Sequence, residues 1–328
     1  MIIILTYNFS IETKRDERMM IIRRLSGAFL LGLCALAPAA QADEPIFGYI
    51  YLTDLLPKDK WEMEQWVTDR ESQAHGYFHQ VEMSTEVEYG LLDDLQISLY
   101  ANYAYQGASR NSVNGLTEGI DIINTHNPST PINGTHWDGF ALETTYRILS
   151  PYVAPVGLAF QVEGELGERE QGLELRGILQ KNFLDDRLIL GFNAWVEFER
   201  EATSNLDTGS GPDWVPQSGT KTRATYAEAD LGASYRFAPG WYGGLEFRNH
   251  NEYGGYSLMH EDQDHTAFFV GPSIHYGAER WFATLAVLRQ VAAIGYTEDQ
   301  RAQMAHGLLF GDEHTVWDGI RFRFGYTF

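Results

Sequence analysis

Apolar residues in this chain recur at every second position. Within 76–89, Val81, Met83, Thr85, Val87 and Tyr89 share one side, while Gln80, Glu82, Ser84, Glu86 and Glu88 share the other. A period of two puts these sets on opposite faces of a β-strand. A tight turn at 90–94 follows, after which Leu95, Ile97, Leu99, Ala101, Tyr103 and Tyr105 alternate with Gln96, Ser98, Tyr100 and Asn102. The pair predicts a hairpin. The same alternation predicts strands over 61–70, 139–150, 156–165, 172–183, 187–201, 223–237, 241–250, 266–276, 281–290 and 315–328, twelve in all. In the last of them Phe322, Phe324, Tyr326 and Phe328 oppose Arg321 and Arg323. Two arginines cannot point into a dry core, so one face is expected to meet lipid and the other water.

The links between strands alternate in length. After Tyr89, Ser150, Phe183, Phe237 and Tyr276 the chain turns within about five residues, whereas Gly107 to Asp138 and Ala202 to Thr222 are long and polar. Short turns at one end and long loops at the other predict an all-β fold, a single transmembrane antiparallel up-and-down β-barrel of about twelve strands. Closure leaves no edge, so every strand amide finds a partner inside lipid. Trp61, Tyr89, Phe183, Phe237, Trp241, Tyr276, Trp281 and Phe328 all fall beside the short turns or the terminus. They predict an aromatic girdle at the periplasmic interface, where an apolar ring with a polar edge is favoured.

The run Thr85-Glu86-Val87-Glu88-Tyr89-Gly90-Leu91-Leu92-Asp93-Asp94-Leu95-Gln96-Ile97-Ser98-Leu99 resembles the repeated hairpin of Gram-negative outer-membrane barrels, including those of the meta-pathway phenol-degradation type. Tyr326 and Phe328 resemble the C-terminal signature that the barrel-assembly machinery recognises. The resemblance implies the outer membrane of a Gram-negative bacterium, with lipid and lipopolysaccharide around the barrel and a role in uptake or in the envelope. It brings no catalytic residue set.

Upstream, Arg23 and Arg24 precede an apolar stretch from Leu25 to Ala37, and Ala40-Gln41-Ala42 supplies a small-x-small cleavage site. This is the grammar of a secretory signal, and the mature chain is expected to begin at Asp43. Residues 1–18 do not fit a signal, so Met19 or Met20 is the expected start. The organisation read from the chain is residues 1–42 as N-terminal extension plus signal, 43–60 as a periplasmic segment, and 61–328 as barrel. No segment after the signal approaches the ~18 unbroken apolar residues of a membrane helix. The single cysteine, Cys34, lies in the signal, which leaves the mature protein without disulfides. Of 24 basic and 45 acidic residues, the first 42 positions hold five and three, so the mature chain carries 19 against 42 and a formal charge of −23. Nucleic acid is excluded as a partner on that balance.

The inward face of the predicted barrel is strongly acidic. Its expected glutamates include Glu62, Glu64, Glu82, Glu86, Glu88, Glu143, Glu163, Glu174, Glu197, Glu199, Glu228 and Glu246, with Asp230; its expected bases are Arg147, Arg176, Arg236, Arg248, Arg321 and Arg323. Closure should bring Arg321 and Arg323 near Glu62 and Glu64. Such a lumen is either a salt-bridged filling or a charged constriction, since rings of charge set selectivity in pores. The expectation is a narrow channel or uptake protein for small polar or amphiphilic solutes, with Glu62, Glu64, Glu82, Glu86, Glu88 and the six arginines as constriction groups. The alternative is a structural or surface-interaction barrel without transport. An outer-membrane hydrolase is a third class: His75, His79, His126, His136, His250 and His260 are expected at the outer rim near Ser109, Ser112, Ser129 and Ser257, but no nucleophile motif stands among them. No cofactor is expected. His260, Asp262, Asp264 and His265 are weak metal candidates, because their spacing matches no established ligand motif.

Overall fold

The computed structural model of the protein describes residues 45–73, 75–117, 129–167, 170–202, 221–306 and 315–328. The signal segment, His126, most of the 202–222 link and residues 307–314 lie outside them.

Twelve antiparallel strands form the wall: β1 (Trp61–Glu71), β2 (Tyr77–Leu92), β3 (Leu95–Ser109), β4 (Ile132–Leu149), β5 (Gly157–Leu166), β6 (Glu170–Phe183), β7 (Leu188–Ala202), β8 (Lys221–Ala238), β9 (Trp241–Gly254), β10 (Gln263–Gly277), β11 (Trp281–Gly295) and β12 (Trp317–Thr327). Each pairs with its sequence neighbours and β1 closes on β12, which makes the closed up-and-down barrel that the two-residue period predicts. At the seam Glu62 lies opposite Thr327, Trp66 opposite Arg323 and Thr68 opposite Arg321. Outward positions carry large apolar side chains that nothing in the protein covers, among them Leu99, Phe140, Leu142, Leu231 and Leu245. Inward positions alternate with them and are mostly polar, the division expected of a wall between lipid and water. Among the described residues no helix is long and apolar enough to cross a membrane.

Three features depart from the sequence reading. The link expected over 107–138 is shorter, because β3 runs to Ser109 and β4 starts at Ile132. Its first part is hidden by a bulge: Gly139 has φ +144° where the β3–β4 register shifts, so the inward phase jumps from Asp138 to Ala141 and the period breaks. A side chain at Gly139 would also meet the Leu166 carbonyl at 2.5 Å. Second, the β5–β6 link is only 167–169, so long loops are not universal at that end. Third, the β11–β12 link contains a helix, α1 (Glu298–Ala305), whose Met304 packs against an apolar cluster of Tyr49, Ala267, Phe269, Ala286 and Leu288. With one large apolar residue in eight, α1 has no periodicity to announce it.

Candidate functional site in the barrel lumen

The segment 43–60 is expected outside the barrel, in the periplasm. Residues 45–56 enter the lumen instead, with Ile46, Phe47, Gly48, Tyr49, Ile50, Thr53, Leu55 and Leu56 buried, while 57–60 are exposed. The wall binds this strap by its backbone. Glu246 accepts the amides of Gly48 and Tyr49, each at 2.8 Å. Asn193 accepts the Tyr51 amide and donates to its carbonyl, at 2.7 and 2.9 Å. Gln180 accepts the Thr53 amide, and Gln96 the Leu56 amide, each at 2.8 Å. A chain inside a barrel has no ladder of its own, so inward Glu, Asn and Gln side chains supply the partners its amides need.

Small residues on the wall make room for the strap. A Cβ on Gly232 would lie 2.6 Å from Ile50 and 2.7 Å from Phe47, and one on Gly191 2.9 Å from Ile50. Phe47 and Ile50 are therefore seated in a niche that exists because β7 and β8 carry glycine at inward positions. Apolar contact alone explains why these residues leave water: fully burying one such side chain contributes about 1.5–3 kcal/mol.

The rest of the lumen is divided by charge. Direct cross-strand neighbours form a row from Glu62 on β1 to Glu88 on β2, Ser98 on β3, Glu143 on β4, Glu163 on β5, Glu174 on β6 and Glu197 on β7. Six carboxylates thus occupy consecutive register positions, with Ser98 as the single interruption. Like charges set directly opposite one another destabilise a sheet, so this row works against folding unless cations answer it. Arg176 answers part of it, with a two-point contact to Glu174 at 2.8 and 2.9 Å. A further set of bases lies on β1, β9 and β12. Arg323 donates to Glu64 at 2.8 Å and lies 3.7 Å over the Trp66 ring. Arg248 clasps Glu228, which also contacts His250 at 2.7 Å. Arg70 pairs with Glu82. Arg321 donates to Thr68 at 2.9 Å and stacks on Tyr49, which Arg248 covers at 4.8 Å. Tyr51 similarly lies under Arg176 at 4.6 Å. The strap's two tyrosines therefore cap three of the lumen's guanidiniums.

Below the strap, at the short-turn mouth, a pocket of about 650 Å³ is lined in part by Asp54, Lys60, Glu62, Arg147, Tyr152 and Phe328. Burial pushes the Asp54 carboxyl up to about 6, against the lowering effects of its Gln180 and Tyr152 hydrogen bonds and of Arg147.

Several expected site residues take other places. Arg147 binds Asp94 at 2.9 Å and the Asp93 carbonyl at 2.6 Å, and Arg236 reaches the Asp185 carbonyl at 3.4 Å. Both lie at strand ends and hold short turns, and Arg147 also donates to the Thr53 carbonyl of the strap at the pocket. His136 lies in β4 beside Asp138 at 3.1 Å, and His250 is buried in the lumen, so neither is a rim-loop residue. Ser257 donates to Asp262, and Ser112 to Asn114. Of the metal candidates, His260 pairs with Gln263 at 3.1 Å, while His265 points inward to Glu252 at 3.5 Å. The groups that do converge on one point among the described residues are Asp69, Glu71 and His79 on the outer face, and Glu62, Glu64 and Glu88 in the lumen. The eight aromatics expected as a girdle lie beside the short turns, several in contact: Trp61 with Tyr89 at 4.4 Å, Trp241 with Tyr276 at 4.8 Å, Tyr276 with Trp281 at 5.3 Å. Sequence reading missed the strap, Arg70 and Trp66. The first could have been found from the apolar run Ile46-Phe47-Gly48-Tyr49-Ile50, which has no business in open water; the others by extending the inward series 62, 64, 66, 68, 70.

Among solved structures the chain is similar to the COG4313 outer membrane channel from Pseudomonas putida F1, with 11% identity, a TM-score of 0.52, and coverage of 87% of this chain and 99% of that one. At that identity the likeness is one of fold. More distant are the NanC porin (11% identity, 81% and 98% covered, TM-score 0.43) and the CymD monoaromatic hydrocarbon channel (10%, 88% and 94%, TM-score 0.39). No curated protein matches. A family model described as a family of unknown function, DUF6662, matches residues 39–328.

Proposed function

The chain belongs to that family of unknown function, DUF6662, and we propose that it is an outer-membrane channel of a Gram-negative bacterium that passes small polar solutes, with cations favoured, past its N-terminal strap. The observation that carries this reading is the carboxylate row Glu62, Glu88, Glu143, Glu163, Glu174 and Glu197. In a staggered barrel a row of direct neighbours climbs as it goes round, so the row leads from the short-turn mouth toward the other end. Inert packing would favour alternating charge or neutral residues there; a one-sided row facing Arg248, Arg321 and Arg323 makes a transverse field that orients a polar solute. The barrel likeness to an outer membrane channel supports the same class. Assembly through the Tyr326 and Phe328 strand, and lipopolysaccharide around the loops, belong to this reading.

Planar-bilayer recording of the purified barrel tests it. The expected result is a small, cation-selective conductance that grows several-fold when residues 45–56 are deleted. A barrel silent in both forms, in liposomes that also show no solute flux, sinks the channel reading and favours an envelope barrel without transport.

A further inference from the structure

Beside the pocket at the short-turn mouth, β1 and β2 set two glutamate pairs against each other: Glu62 faces Glu88 and Glu64 faces Glu86. All four are buried, at 2%, 9%, 2% and 0% exposure respectively. Arg323 and the Trp66 indole both donate to Glu64, the latter at 2.7 Å. Thr327 donates to Glu62 and Gln96 to Glu88. Glu86 is the sharpest anomaly: both its oxygens are buried, no donor group of the described residues reaches either, and its neighbour is the Glu88 carboxyl. A buried carboxylate in that state costs several kcal/mol unless a proton or a cation neutralises it. One oxygen each from Glu62, Glu64 and Glu88 lies within 4.8 Å of the others. Oxygens bound to one calcium ion at 2.3–2.6 Å stand no more than about 5 Å apart, so these three are near enough to share one.

We infer that Glu62, Glu64 and Glu88, with the buried Glu86 carboxylate beside them, form a lumenal binding site for a hard divalent cation of the calcium class. Oxygen-only ligands and several carboxylates suit calcium, which accepts irregular cages of six to eight oxygens; magnesium keeps more of its water and stricter geometry. Glu62 lines the 650 Å³ pocket, which gives the ion a route from the mouth. Glu88 accepts from Gln96 at 2.8 Å, and Gln96 in turn holds the Leu56 amide, so the ion would be linked to the end of the strap. The site does not require anything to cross the lumen, and it stands or falls separately from transport.

Terbium luminescence of the folded full-length mature barrel in detergent, stripped with chelator, tests this. Trp66 touches the site and should sensitise bound Tb³⁺; saturable emission competed by Ca²⁺ is expected. Emission should fall at least tenfold in E86Q/E88Q, a variant that relieves repulsion and should fold. Ca²⁺ should raise the Tm of the parent protein by several degrees and leave that of E86Q/E88Q unchanged. W66F should weaken the emission while keeping the Ca²⁺ shift. Emission that survives E86Q/E88Q undiminished puts the ion elsewhere and overturns the proposal. So does an unchanged Tm with Ca²⁺ combined with stabilisation by E86Q in chelator, which would mean that the glutamates share protons instead.

Discussion

A single side chain at the seam shows how the lumen's charge is held. Arg323 is buried between Glu64, to which it donates, and Trp66, whose ring it covers. In chelator, truncating it leaves Glu64 buried with the Trp66 indole but no cation, and such half-removed pairs cost about 3–5 kcal/mol. Arg323→Ala is therefore expected to lower the urea midpoint of the folded barrel clearly, as read by the heat-modifiable band shift on gels. R323A/E64Q should recover most of that loss, because removing both charges abolishes the unpaired one. Equal destabilisation of single and double variants would mean that packing on Trp66, and not charge, is what Arg323 supplies. By contrast Arg147, which is partly exposed and bound at a turn, should cost little on truncation, since exposed ion pairs contribute about 0–1 kcal/mol.

Among elements, the strands were legible and the strap was not. A strand between lipid and water writes itself as a period of two, and that signal runs along most of the wall; it slips by one residue at bulges such as Gly139 in β4 and Gly319 in β12. Inward and outward assignments of Glu62, Glu64, Glu86 and Arg323 follow from the same period, and the closing partner of β1 follows from barrel geometry. Residues 45–57 have no period, because a strap inside a lumen touches wall on all sides and takes its amide partners from Glu246, Asn193, Gln180 and Gln96, scattered over four strands. Nothing local in the strap points to them. Its docking should respond to pH through Asp54, which lies on the strap and outside the strands. Burial raises the Asp54 carboxyl to about 6, so the docked state holds its proton more tightly than a released strap with an ordinary value near 4. Docking is then strongest below about pH 4, weakens as pH rises from 4 to 6, and stays at its weaker level above. A shift of about two units corresponds to roughly 3 kcal/mol at most. Limited proteolysis near Leu52 should be faster at pH 7.5 than at pH 4.5, and D54N should protect the strap at pH 7.5. A cleavage rate independent of pH in the parent protein removes Asp54 from this role. Gly232→Leu, which would fill the niche of Phe47 and Ile50, should expose the strap at every pH while leaving the barrel closed.

For the whole molecule, the decisive property is the distribution of charge around one closed wall. β1 to β7 supply the carboxylate row, β9 and β12 supply Arg248, Arg321 and Arg323, and the strap lies between them with Tyr49 and Tyr51 stacked on guanidiniums. The strap therefore masks part of the positive side and leaves the row of glutamates as the dominant field. Removing 45–56 should do two things at once: widen the path, which raises conductance, and uncover Arg176, Arg248 and Arg321, which lowers cation preference. A filling that merely blocked the lumen would change the first and not the second. The row itself is tested by E163Q/E197Q, whose two positions lie on either side of Glu174 and its bound Arg176. In a tenfold salt gradient the reversal potential of this variant should move toward zero by ten millivolts or more, with single-channel amplitude changed far less. The shift should shrink in concentrated salt, because at 1 M the screening length falls to about 3 Å and the row no longer acts across the lumen. An unaltered reversal potential at low salt would mean that ions take a path away from the glutamates, and would return the row to a structural role.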